Sequence, residues 1–108
     1  MVDLRRTPRV PLHKAVEFSA DSDDVPIRME GTGRDISLGG MFIETAAPCA
    51  EGERITIHLT LPEGRRELTL PAIVRWNSKE GMGVQFGSLG ARDTHDITTF
   101  VAAREGPR

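Results

Sequence analysis

Apolar and polar residues alternate with a period of two along most of the chain, the pattern of strands that bury one face. Over residues 14–19, Val16 and Phe18 share a face. Over residues 54–61 it is Ile55, Ile57, Leu59 and Leu61, and over residues 67–76 it is Leu68, Leu70, Ala72, Val74 and Trp76. Residues 27–36 alternate more loosely, MFIET (41–45) follows the Gly39-Gly40 break, and residues 82–86 are entered through Gly81 and Gly83. A polar loop over 21–26, the hairpin signal of Gly39-Gly40 and the turn Pro62-Glu63-Gly64 separate these runs. About six strands of ordinary length predict an all-β fold, a small six-stranded antiparallel β-barrel. The same period assigns Trp76 and Met82 to the core. After Gly90 the spacing changes: Ile97, Phe100 and Val101 recur as on a helix, with Asp93 and Asp96 near its start. A C-terminal α-helix is therefore expected, covering a barrel end or a sheet edge.

Length and composition narrow the class. The 108 residues suit one domain, divided as an N-terminal arm (1–12), the barrel with its helix (13–104) and a tail (105–108). With 38% hydrophobic and 28% charged residues, the composition is that of a globular chain rather than a disordered one. No apolar run is long enough to span a bilayer, and no hydrophobic stretch follows the paired Arg5 and Arg6, so a cytoplasmic location without membrane insertion is expected. Cys49 stands alone and His13, His58 and His95 are scattered, which gives no basis for a metal site, a cofactor or a catalytic triad. The chain is not expected to be an enzyme.

The net charge of −2 argues against a nucleic acid polymer as partner. Of fourteen basic residues twelve are arginine, and Arg5, Arg6, Arg9 and Lys14 cluster before the acidic Asp21, Asp23 and Asp24. Such a small basic patch suits a compact anion. Arg65, Arg66 and Arg75 are expected to be solvated strand or turn charges.

The segment GRDISLGGMFIET (33–45) places a carboxylate, a hydroxyl and two glycines just before an apolar strand. Asp, Ser and Gly are ordinary turn residues. Joined to the arm's Arg5-x-x-x-Arg9, however, Asp35-x-Ser37-x-x-Gly40 resembles the two motifs of the PilZ domain, a small bacterial barrel that binds the second messenger cyclic di-GMP. The twenty-five residues between Arg9 and Asp35, the Val74-x-Trp76 strand and the Gly-Met-Gly-Val-x-Phe run over 81–86 strengthen the likeness, which covers nearly the whole chain. The resemblance implies a receptor that binds cyclic di-GMP through Arg5, Arg6, Arg9, Asp35, Ser37, Gly39 and Gly40.

The chemistry is consistent with that ligand. Guanine's O6 and N7 accept from a forked guanidinium, as Arg5 or Arg9 provides. Its N1–H and N2–H₂ donate to a carboxylate, as Asp35 provides, while Ser37 adds a hydroxyl and Gly40 lets the backbone come close or adopt positive φ. Leu4, not a basic residue, precedes the arginine motif, so one ligand per chain is expected. The arm lacks apolar periodicity and is expected to order over the barrel when the ligand's phosphates neutralise its arginines, relaying the signal to an unidentified signalling or motility protein. The alternative is a PilZ-like adaptor that binds a protein in a motility or signalling complex independently of nucleotide.

Overall fold

The computed structural model describes residues 8–105. It contains β1 (Val10–Ala20), β2 (Met29–Ile36), β3 (Gly40–Glu44), β4 (Arg54–Leu59), β5 (Leu68–Asn77), β6 (Gly81–Phe86) and α1 (Ala91–Glu105). The strands pair antiparallel in the order β1-β2-β3-β6-β5-β4, and β4 closes onto β1. This is the expected six-stranded barrel with a C-terminal helix.

One side of each strand fills the lumen. Phe18, Ile36, Met41, Ile43, Ile55, Ile57, Leu70, Val74 and Met82 are fully buried there, each contributing about 1.5–3 kcal/mol through removal of apolar surface from water. The helix adds Ile97, Phe100 and Val101 to the same core. Arg66, between β4 and β5, clasps it from outside: Nη2 lies 2.9 Å from Asp93 and 2.7 Å from Asp96. Those carboxylates, Asp93 foremost, hold the guanidinium even more firmly charged than usual. Arg66 is thus a tie between turn and helix rather than a solvated charge.

Three bulges depart from simple alternation, because an extra residue in one strand re-aims the side chains beyond it. On β1 the register shifts between Pro11 and Lys14, where His13 takes φ 50°, in the left-handed region. The strand consequently starts at Val10, not residue 14: Val10 and Leu12 are buried, and Pro11, lacking an amide hydrogen, sits beside the irregularity. On β2 the shift falls between Gly33 and Asp35. Gly33 and Ile36 point inward, and both Arg34 and Asp35 face outward.

The third bulge, between Val74 and Trp76 on β5, overturns one expectation. Uninterrupted alternation would carry Trp76 into the core, but the extra residue turns it outside, where it is 49% exposed. Met82 stays inside, as its period requires. Element ends otherwise move by one or two residues: β2 begins at Met29, β4 stops at Leu59 and β6 begins at Gly81.

Candidate ligand site on the outer barrel face

The hairpin between β2 and β3 is shaped by the Asp-x-Ser-x-x-Gly segment. Ser37 N–H donates to the Gly40 carbonyl at 2.8 Å, and Ser37 Oγ accepts from the amides of Gly39 and Gly40, each at 3.2 Å. The hydroxyl of this buried serine is therefore engaged in closing the turn. Gly40 does not adopt positive φ. Its lack of a side chain admits β6 instead, since a Cβ there would fall on the Val84 carbonyl oxygen.

Asp35, turned outward by the bulge, anchors the site electrostatically. Its Oδ1 accepts from the Phe42 amide at 3.2 Å and from Arg9 Nη1 at 2.6 Å. Both partners of the ion pair are open to solvent, 52% for the Arg9 side chain and 36% for Asp35. An exposed pair of this kind contributes about 0–1 kcal/mol, so an incoming anion or base edge can displace it at small cost. Oδ2 makes no hydrogen bond to any described residue.

Aromatic surface completes the patch. Phe42 on β3 pairs across the ladder with Gly83 on β6, which pairs in turn with Trp76 on β5. The Trp76 indole lies over Gly83, where a Cβ would collide with the ring, and stacks on Phe42 with centroids 5.4 Å apart and planes inclined by 21°. Beside it opens a cleft of about 150 Å³ lined by Arg9, Ser37, Gly39, Arg75, Trp76, Gly83, Val84 and Gln85. Arg75 Nε donates to Gln85 Oε1 at 2.7 Å along one wall.

Of the residues expected to bind ligand, Arg9, Ser37 and Gly39 line one cleft, Asp35 adjoins it through Arg9, and Gly40 backs it against β6. Arg5 and Arg6 lie outside the described residues. Trp76, Arg75 and Gln85 join the cleft without having been assigned to it. The sequence does carry one trace of Trp76's position, Gly83, a residue too small to be needed in a core strand and suited to lie beneath a ring.

Comparison with known proteins gives the same picture of the fold. A sequence model described as the PilZ domain matches residues 3–103. Curated proteins provide no match. Among solved structures, the inhibitor of motility MotI/DgrA of Bacillus subtilis superposes with a TM-score of 0.73 at 21% identity, covering 96% of this chain and 52% of that one. This chain thus spans about half the length of that protein. The PilZ domain with c-di-GMP of YcgR from Escherichia coli gives 0.69 at 22% identity, covering 95% and 92%. The MrkH–c-di-GMP complex of K. pneumonia gives 0.70 at 19% identity, covering 95% and 52%.

Proposed function

The chain belongs to the PilZ domain family, and from that premise we propose that it is a receptor for cyclic di-GMP, which it binds on the outer barrel face. One observation carries the reading: the bulge on β2 and the β2–β3 turn bring Asp35, Ser37 and Gly39 together with Arg9 beside the exposed ring of Trp76. Those groups match a guanine nucleotide part by part. Arg9 offers a fork to O6 and N7 or to phosphate, Asp35 accepts from N1–H and N2–H₂, and Trp76 offers a face on which a base can stack. Arg5 and Arg6 are proposed to close over the ligand with Arg9. In this scheme residues 1–9 settle on the barrel as the ligand binds and, with it, present the surface that a signalling or motility protein reads.

Calorimetric titration tests the binding itself. Cyclic di-GMP added to about 100 μM protein is expected to bind with a Kd of about 1 μM or lower, while cyclic di-AMP and GTP bind much more weakly. Absence of heat with cyclic di-GMP would overturn the reading in favour of a nucleotide-independent adaptor.

A further inference from the structure

The loop between β1 and β2 belongs to the longest exposed run among the described residues, since every position from 21 to 30 is open to solvent. It carries both acid and grease. Val25 and Ile27 are 75% and 62% exposed, more than any other large hydrophobic side chain described, and aliphatic surface ringed by charge marks a contact surface. Asp23 and Asp24 beside them form no ion pair with any described residue. Pro26 fixes its own φ, so this tongue has less freedom to lose when it docks.

A surface of matching character lies next to the tongue. A groove of about 300 Å³ crosses the outer faces of β4, β5 and β6, with Pro71 and Ile73 as apolar floor and Arg54 and Arg75 as basic rim. Arg9, Arg28, Arg34, Arg66 and Arg104 are each bonded to a carboxylate. Arg54 and Arg75 have no carboxylate partner among the described residues, and Arg75 spends only its Nε on Gln85. The chain's own tongue does not fill this groove: Asp21 lines its edge, with its amide on the Arg54 carbonyl at 2.9 Å, and none of residues 22–28 joins the lining.

We infer that the groove receives the tongue of a second copy of this chain, an inference independent of the nucleotide. Val25 and Ile27 of one copy would cover Pro71 and Ile73 of the other, and Asp23 and Asp24 would meet Arg54 and Arg75. Because the tongue starts at the groove's edge, two chains facing each other across a two-fold axis make both contacts at once, each giving a tongue and receiving one. The contact is small, so the dimer is a weak one, with a Kd on the order of 10–100 μM.

Sedimentation velocity without nucleotide tests this, on the wild-type chain from about 10 to about 500 μM, a range that spans such a Kd. Dimer should grow with concentration, and raising the salt from about 0.05 to about 0.5 M should weaken it several-fold by screening the charge pairs. Reversing the tongue (Asp23→Lys with Asp24→Lys), reversing the groove (Arg54→Glu with Arg75→Glu) or removing the aliphatics (Val25→Ser with Ile27→Ser) should each weaken self-association at least tenfold, with unchanged circular dichroism. Mixing the two charge-reversed variants, one of them fluorescently labelled, should restore pairing, because both contacts of the mixed dimer are again between opposite charges. That rescue cannot come from a folding defect. A wild-type chain that stays monomeric throughout overturns the inference and leaves the groove to an acidic segment of another protein. Variants that associate as the wild type does, or charge-reversed variants that fail to pair when mixed, overturn it equally.

Discussion

Trp76 carries the clearest difference between a residue's type and its use. A large aromatic on an alternating strand belongs in the core by default, and a bulge one residue away puts it on the surface. It is also the chain's only tryptophan, so its emission should respond directly when cyclic di-GMP stacks on it. Trp76→Ala should weaken binding by about 1–3 kcal/mol, the scale of base–aromatic stacking. It should cost folding no more than about 0.5–1.5 kcal/mol through loss of the Phe42 pair. A titration that leaves the emission unchanged, with wild-type affinity in the alanine variant, would remove the ring from the site. Cys49 is the opposite case, a residue whose chemistry is suppressed. Partial burial first, then Glu53, pushes its thiol up to about 11 from 9.0. Only about one molecule in a thousand is then thiolate at pH 8, so iodoacetamide should label the folded chain slowly and the unfolded chain fast. Rapid labelling of folded protein near neutral pH would contradict that environment.

At the level of elements, regular alternation made the strands legible, and bulges hid what lay next to them. β4 obeys the period throughout and was readable almost to the residue. β1 lost its first turn of pairing to the His13 irregularity, and β5 lost the direction of Trp76. The β2 bulge is as invisible in the sequence as the others, and Asp35 is a candidate through its motif, not through any orientation that alternation predicts. Arg75 and Gln85 belong to no such motif, and their place in the cleft depends on cross-strand register that no local pattern encodes. Two glycines separate fold from site at this scale. Gly40→Ala would drive a methyl into the Val84 carbonyl, a backbone obstacle that cannot step aside. It should destabilise the barrel by about 1–3 kcal/mol, as overpacking does. For Gly83→Ala the nearest atoms are those of the half-exposed Trp76 ring, a side chain that can swing away, so stability should fall by less than about 1 kcal/mol while ligand affinity drops with the displaced ring. Chemical denaturation and calorimetry on the two variants would reveal the contrast, and equal stability losses would refute it.

Considered whole, the molecule has little room to signal by reshaping its sheet. Every described strand is paired on both sides in a closed barrel whose lumen is filled with fully buried side chains. Such packing resists gradual deformation. A ligand on the outer face is therefore expected to stabilise the barrel without rearranging it, and to act through what it gathers onto the surface. At one hundred times its Kd a ligand adds about 2.7 kcal/mol to folding stability. For a domain near 100 residues, with about 4 °C per kcal/mol, the melting temperature should rise by about 10 °C. Amide exchange locates the rest of the response. Strand amides that exchange by global unfolding should all slow by one common factor set by that stabilisation, whereas residues 2–9 should gain protection beyond it as Arg5, Arg6 and Arg9 engage the phosphates. If the melting temperature rises but residues 2–9 gain nothing, the ligand binds without recruiting the arm. Protection changes concentrated in β5 and β6 would then place the relay at Arg75 and Trp76 instead.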